Sequence, residues 1–300
     1  MTRRNTPHVS FIGFGEAGQA VASGLRGAGI ERIAAWDILF PDAAGAPLKA
    51  AAETMGVRAA SSAADAVRET DMIISAVTAA SSVDTARSVA SHLTGNPYYL
   101  DINSVSPGRK QQTAKLLGEG ARYVDVAVIA PIHPTRHRTP LLVSGPHVEE
   151  ISPLLRELEM QFTVVSPQIG SAAAIKMIRS VMIKGMEALT LECFLAATRA
   201  GVLEEVTTSL KNNYPTLDWI KIADYNLERM ASHGERRAAE MEESAATLRE
   251  LGLDPLMVDS TVKRQREMGT IGKEENVRET LKSGRAAMLD AISAAAKDRH

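Results

Sequence analysis

Val9-Ser10-Phe11-Ile12-Gly13-Phe14-Gly15-Glu16-Ala17-Gly18 opens the part of the chain on which the rest depends, and Ile33-Ala34-Ala35-Trp36-Asp37 closes it. An apolar run suited to a buried strand ends on Gly13-x-Gly15-x-x-Gly18. Gln19 to Gly29 then reads as an Ala-rich helix, and a second short apolar strand ends on an acid. Glycines so spaced permit a tight strand-to-helix turn, close approach of the backbone to a pyrophosphate, and close packing of helix on strand. The free N–H groups of the helix start would face the phosphates, where the helix dipole favours negative charge. Asp37, about twenty residues beyond the glycines, is placed to accept hydrogen bonds from both adenosine ribose hydroxyls, and its charge would repel a 2′-phosphate. No arginine follows closely on it. The stretch therefore predicts a dinucleotide cradle formed by Gly13, Phe14, Gly15, Glu16, Ala17, Gly18 and Asp37, with NAD favoured over NADP. A glycine-rich turn of no special purpose is the bland alternative; strand, helix, second strand and acid falling in this order speak against it.

The 300 residues are most simply two domains of about 150 each. Lys and Arg number 34 against 36 Asp and Glu, a net charge of −2, so no global field points to nucleic acid or an anionic membrane. The single cysteine, Cys193, can form no internal disulfide and reads as a buried small hydrophobe. With no His/Cys cluster to bind a metal, the chain fits a reducing cytoplasm. Arg3 and Arg4 precede an apolar stretch as in a signal peptide, but Glu16, Gln19 and Arg26 interrupt it, which marks mature structure. No segment approaches the ~20 uninterrupted apolar residues of a membrane span.

After a Pro/Ala/Gly loop over 41–47 and a helix around 48–55, short strand and helix signals alternate: 57–59, 63–68, 72–77, 81–92, 98–102, 107–117, 122–128, 141–144, 148–158 and 162–165. This alternation predicts an α/β doubly wound domain, a parallel sheet with helices on both faces. It stops at Ser166-Pro167, so a dinucleotide-binding domain over 1–166 is expected to precede an all-α domain over 167–300, with helix breakers at Gly201, 212–215, His233-Gly234, 252–255 and 269–272. Residues 171–200 hold no proline and read as one helix, roughly 45 Å long. A helix of that length is expected to pack on a second copy of the chain as well, giving a homodimer or higher homo-oligomer.

Ligands of open α/β sheets bind beyond the carboxyl ends of the strands. There lie Val77-Thr78, Asp101-Ile102-Asn103-Ser104 and residues 125–131. Thr78 either lies beside the cofactor or caps the helix that follows. Asn103 and Ser104 offer an amide and a hydroxyl suited to hold a substrate oxygen near the nicotinamide; Ser106-Pro107 is a helix start. On the long helix Lys176, Ser180 and Lys184 share a face, flanked by Arg179 and Glu187. They form either a solvated basic face or, since the surrounding Met177, Ile178, Val181, Met182, Ile183 and Met186 leave little polar perimeter, charge turned into a cleft. A lysine desolvated in a cleft near a second cation suits proton relay.

Together these motifs resemble the β-hydroxyacid dehydrogenases, which include 3-hydroxyisobutyrate and 6-phosphogluconate dehydrogenases, over nearly the whole chain. Residues 13–18 look like the family's cofactor signature, Asp101-Ile102-Asn103-Ser104-Val105-Ser106-Pro107 like its substrate motif, and Gly170-Ser171-Ala172-Ala173-Ala174-Ile175-Lys176 like its catalytic-lysine segment. Glu240-Met241 to Leu251-Gly252 is similar to a further motif. The resemblance implies that Lys176 is the acid/base, Glu240 its acidic neighbour, and that Val77, Thr78 and Asn103 touch the cofactor. There are departures. Asn103 stands where a substrate-binding serine is usual, the serine and glycines of the motif at 125–131 are absent, and Arg179 and Ser180 replace asparagines. All fall on substrate positions, which implies hydride chemistry on an unusual substrate, as in an atypical phosphogluconate-dehydrogenase-like subgroup.

Two basic clusters, 133–138 and 233–237, are either solvated surface or replacement anchors for an acidic substrate; the second is expected to open a helix. Arg179 is the preferred single anchor, because a guanidinium grips carboxylate or phosphate with two parallel bonds. The sequence thus leads to an NAD-dependent dehydrogenase of a 3-hydroxy acid or related alcohol, with Asn103, Ser104, Arg179, Ser180 and Glu240 at the substrate and no metal. The rival readings are an NADPH-dependent imine or aldehyde reductase and a non-catalytic cofactor-binding regulatory protein.

Overall fold

The computed structural model describes residues 6–297; Arg3, Arg4 and the last residues of the Ala/Lys-rich final turn lie outside them. The elements are β1 (Val9–Ile12), α1 (Glu16–Gly27), β2 (Ile33–Trp36), α2 (Ala46–Thr54), β3 (Arg58–Ala59), α3 (Ala63–Ala66), β4 (Met72–Ser75), α4 (Ser82–Ala90), β5 (Tyr98–Asp101), α5 (Pro107–Leu117), β6 (Arg122–Val128), β7 (Leu141–Ser144), α6 (Val148–Glu157), β8 (Phe162–Ser166), α7 (Ser171–Ala200), α8 (Leu203–Asn213), α9 (Trp219–Glu250), α10 (Leu256–Ile271), α11 (Glu275–Thr280) and α12 (Arg285–Lys297).

The eight strands form one sheet in the order β3-β2-β1-β4-β5-β6-β7-β8. Successive neighbours from β3 to β6 are parallel. Strands β1, β4 and β5 are buried along their whole length, as strands covered on both faces must be. Alternate residues feed two cores. Phe11, Met72, Ile74 and Leu100 join Val21 and Leu25 of α1 and Ile151 and Leu155 of α6; Ile73, Tyr99 and Tyr123 join Ala86 and Val89 of α4 and Leu117 of α5.

The expectation of a parallel sheet needs correcting at one edge. β7 runs antiparallel to β6, and β8 pairs parallel with β7. Parallel neighbours require a long crossover, usually a helix. Residues 129–140 contain only a 3-10 turn, Arg136–Arg138, so the chain returns beside the strand it has just left.

The chain divides into two compact units, 1–176 and 177–300. The break falls ten residues beyond the sequence-based one because the first turn of α7 is fastened to the sheet, as described below. In the second unit a core of Leu191, Phe194, Leu227, Met230, Met268, Met288 and Ile292 lies beside a smaller one of Met241, Ala245, Val258 and Val262. Cys193 is half-buried against the larger core. His233-Gly234 neither breaks nor opens a helix; both lie inside α9. Gly234 is there because α10 crosses it: a Cβ would sit 2.4 Å from the Gln265 carbonyl oxygen and from Gly269 N. Among the described residues no helix is long and apolar enough to cross a membrane.

Candidate active site

The turn from β1 into α1 is shaped by its glycines. Gly13 has φ +93°, and a Cβ on it would lie 2.3 Å from the Ala76 carbonyl oxygen just past β4. A Cβ on Gly18 would lie 2.5 Å from the Gly13 carbonyl oxygen, so α1 closes on the turn only without one. At Gly15 a Cβ would meet nothing within 4 Å. The open space there lies before the free amides of α1, the form a pyrophosphate site takes. Asp37 Oδ2 accepts a hydrogen bond from Phe14 N–H at 2.7 Å, and its Oδ1 accepts one from Leu39 N–H at 3.0 Å. A carboxylate so held still has acceptor capacity for ribose hydroxyls. Phe14 is buried, while Glu16 and Ala17 begin α1 with the Glu16 side chain exposed.

Val77 and Thr78 leave β4 next to this turn. Val77 N–H donates to Asn103 Oδ1 at 2.7 Å, and Asn103 Nδ2 donates to Ser75 Oγ at 2.9 Å. Asn103 is 4% exposed. Its amide satisfies a strand-end N–H that would otherwise be buried without a partner, and it fastens the ends of β4 and β5. Thr78 is exposed, its hydroxyl donates to Ser81 Oγ at 3.1 Å, and it makes no side-chain cap bond. Ser106 and Pro107 do start α5, with Ser106 Oγ accepting from Arg109 N–H. Arg109 Nη1 in turn donates to the Ala79 carbonyl at 2.9 Å, steadying the segment after Thr78.

Ser104, half-buried just past β5, meets Lys176: Nζ donates to Ser104 Oγ at 2.5 Å. Asp37, the glycine turn, Val77-Thr78 and the Ser104–Lys176 pair thus follow one another at the ends of the adjacent strands β2, β1, β4 and β5. At the usual strand spacing the row spans about 14 Å. An amine touching a hydroxyl at the end of such a row can pass a proton to or from a small oxygen-bearing ligand.

The start of α7, which carries Lys176, is fixed by side chains from the sheet. Asp125 Oδ2 accepts from Gly170 N–H and Ala173 N–H, each at 3.1 Å, and from the Ser144 hydroxyl at 2.8 Å; Ser144 Oγ accepts from Ala172 N–H at 3.0 Å. These are amides that a helix start leaves without intrahelical partners. Between Asp125 and Asp101 lies Lys110, 0% exposed, its Nζ 3.1 Å from Asp101 Oδ1, 3.4 Å from Asp125 Oδ1 and 2.6 Å from the Asp101 carbonyl oxygen. Tyr123 donates its hydroxyl to Asp101 Oδ2 at 2.8 Å. Burial, then the charge of Asp101, pushes the Tyr123 phenol well above its ordinary range, so it stays a donor. Sequence reading missed Lys110 and Ser144 and gave Asp125, inside the strand-end stretch 125–131, no role of its own; the signal available for Lys110 was the 110, 113, 117 spacing that gives α5 its buried face.

In the second unit α7 turns charge inward and apolar side chains outward. Ile178, Met182, Ile183 and Leu189 are exposed, whereas Ser180, Lys184 and Glu187 are buried. Lys184 Nζ lies 2.9 Å from Glu240 Oε2 and donates to Ser180 Oγ at 3.2 Å. Burial pulls the Lys184 ammonium below its ordinary range, and the Glu240 carboxylate acts the other way. Lys184 is thus one partner of Glu240. Arg179 is exposed on the same helix.

Each basic cluster is partly taken up in packing and ion pairs. In 133–138, His137 is buried against Gly24 of α1, where a Cβ would touch its ring, and Arg138 pairs with Glu159. In 233–237, Arg237 grips Glu187 through two bonds, Glu187 also accepts from Gln265 Nε2 at 2.7 Å, and Glu235 pairs with Lys273.

Residues 8–104 match a family described as NADP oxidoreductase, coenzyme F420-dependent, and residues 197–268 match a domain of unknown function. A conserved hypothetical protein from Sinorhizobium meliloti 1021 is 35% identical, with a TM-score of 0.77 over 97% of each chain. A second conserved protein of unknown function, described as structurally similar to 3-hydroxyacid dehydrogenases, is 30% identical, with a TM-score of 0.71 over 88% of this chain and 97% of its own. The chain belongs to the β-hydroxyacid dehydrogenase-like family. A 3-hydroxyisobutyrate dehydrogenase of Mycobacterium tuberculosis shares the fold of this family at 16% identity, with a TM-score of 0.69 over 98% of this chain and all of its own. Within the β-hydroxyacid dehydrogenase-like family the oxidoreductase match covers β1 to Ser104, and so contains the glycine turn, Asp37, Val77 and Thr78. It supports a pyridine nucleotide as the cofactor and an oxidoreductase as the class.

Proposed function

We propose that the chain is an NAD-dependent dehydrogenase of a small 3-hydroxy acid or related alcohol, with Lys176 as general acid/base. The observation that carries the reading is the 2.5 Å contact between Lys176 Nζ and Ser104 Oγ at the strand end next but one to the glycine turn. When bound, the nicotinamide supplies the acceptor for a hydride leaving the carbinol carbon. The amides behind Gly15 hold the pyrophosphate, and Val77 and Thr78 line the path beyond it. Lys176 takes the hydroxyl proton, and Ser104, its hydrogen-bond partner, orients that oxygen. Arg179 offers a cation to the acidic group of the substrate. Ser180 and Glu240, both bonded to Lys184, offer further polar groups to the substrate. NAD is favoured over NADP by Asp37 and by the two uncharged side chains after it, Ile38 at 81% exposed and Leu39 at 42%, which give a 2′-phosphate no partner.

The test is a panel of 3-hydroxy acids and semialdehydes followed at the nicotinamide absorbance, with cofactor titrations alongside. Lys176→Ala is expected to fold, bind NADH as before and lose turnover by at least about 10²-fold. Retained turnover would remove Lys176 from the reaction. NADH is expected to bind at least about tenfold more tightly than NADPH, and equal affinity would remove the role given to Asp37. If the unaltered protein turned over no member of the panel, a regulatory, cofactor-binding role would replace the enzymatic one.

A further inference from the structure

We infer that Lys110 is a positioning residue: one buried ammonium sets the distance between Lys176 and Ser104 by holding the two aspartates to which their segments are tied. The inference rests on the reading of Lys176 as the acid/base and adds how that amine is aimed.

Each half of the pair reaches Lys110 through its own acid. On the Lys176 side, Asp125 and its partner Ser144 hold the amides of Gly170, Ala172 and Ala173, so the first turn of α7 is tied to the ends of β6 and β7. On the Ser104 side, Asp101 Oδ1 accepts from Asn103 N–H at 3.0 Å, which fixes the segment leaving β5 one residue before Ser104. Lys110 Nζ touches both carboxylates, the Asp101 carbonyl and, at 3.4 Å, the Val126 carbonyl. Four oxygens on two adjacent strands thus converge on one nitrogen with no access to water.

Stability alone does not account for this arrangement. A fully buried lysine between two carboxylates loses its hydration and theirs, and apolar side chains of similar volume commonly stabilise such a site as well or better. Charged groups at fixed positions do define geometry: Asp125 Oδ2 holds the α7 amides, while Asp125 Oδ1 makes no hydrogen bond among the described residues and is balanced by the Lys110 charge 3.4 Å away. The position also suits the role. Lys110 lies on the buried face of α5 with Thr113 and Leu117, a rigid element anchored to the segment after Thr78 by Arg109.

The experiment reads Lys176 directly and needs no substrate. Full-length protein is labelled with a neutral acylating reagent across a range of pH, and the rate at each lysine is measured by peptide mass spectrometry, with the exposed Lys49 and Lys115 as internal references. In Lys110→Met the labelling rate of Lys176 should change by about tenfold, the factor for losing one charge-assisted hydrogen bond, and its pH profile should move while those of Lys49 and Lys115 stay. Asp125→Asn keeps an oxygen for the α7 amides and removes the charge facing Lys110; it should change Lys176 in the same direction by less, and it decides the matter should Lys110→Met fail to fold. Thermal melts and NADH titration report the fold of each variant. A folded variant whose Lys176 labels as in the unaltered protein overturns the positioning role. Failure of the acid/base reading is distinguishable, since it is seen in the turnover of Lys176→Ala and leaves the labelling result standing.

Discussion

At Gly15 a methyl group would touch nothing in the protein, whereas at Gly13 and Gly18 it would enter a backbone carbonyl. The three residues share one motif, yet their substitutions should separate cleanly. Gly15→Ala changes only a helix N-cap, by less than about 1 kcal/mol, a shift in Tm of a few degrees at most. It should nonetheless weaken NADH at least about tenfold, because the added methyl occupies the space reserved for phosphate. Gly18→Ala should instead destabilise the fold by about 1–3 kcal/mol, since a backbone carbonyl cannot rotate aside. Fluorescence titration with NADH and thermal melts of both variants check this, and unchanged NADH affinity in Gly15→Ala would mean that no phosphate approaches there. At this scale much of the site was legible in the sequence. The tight glycine turn, the strand-end places of Asp37 and Ser104, and the place of Lys176 near the start of α7 were readable because each belongs to a local pattern. The structural bonds of Asn103 were not legible, because its chemical type is known from sequence but its partners, Val77 and Ser75, are more than twenty residues away. Lys110 was overlooked for a stronger reason: despite its spacing with Thr113 and Leu117, a lysine on a polar helix reads as solvent-facing, and only the two aspartates from the sheet make its burial tolerable.

Elements were read more faithfully than their directions and crossings. Apolar runs bounded by turn residues, and helical spacing, placed β4, β5, β6, α5 and α7 within a residue or two. The reversal of β7 was not legible, since a period of two is the same read in either direction. Gly234 shows the converse error. Glycine is a poor helix former, so an isolated one in a polar stretch reads as a break, yet here it permits the backbone of α10 to approach that of α9. Gly185, inside α7, has no neighbour within 4 Å of its Cβ position and serves as the control. Gly185→Ala should stabilise the protein by up to about 1 kcal/mol through helix propensity. Gly234→Ala gains the same propensity but forces two helix backbones apart, and a net loss of at least about 2 kcal/mol is expected. Denaturant midpoints of the two variants decide it; equal stability would mean that the helices do not cross so closely.

For the molecule as a whole, the question is which residues the cofactor unit needs in order to stand alone. The composition change after Ser166 marks where strands give way to helices, but it says nothing of where packing ends. Packing continues through the first turn of α7, since Asp125 and Ser144 are buried and their oxygens point at the amides of Gly170, Ala172 and Ala173. A fragment ending at Ser166 leaves the Asp125 carboxylate without two backbone donors in a buried site. Hydrogen bonds to a charged group contribute about 1.5–3 kcal/mol each, so the loss is about 3–6 kcal/mol, a large part of the stability of a domain of this size. The fragment 1–176 keeps those bonds, both sheet cores and the glycine turn. It should fold and bind NADH within about tenfold of the full chain, while 1–166 should melt much lower or fail to fold. Circular dichroism melts and NADH titration of the two fragments test this directly. Equal stability would mean that the α7 turn adds nothing to the sheet, and loss of NADH binding by a folded 1–176 would place part of the cofactor's affinity in residues 177–300.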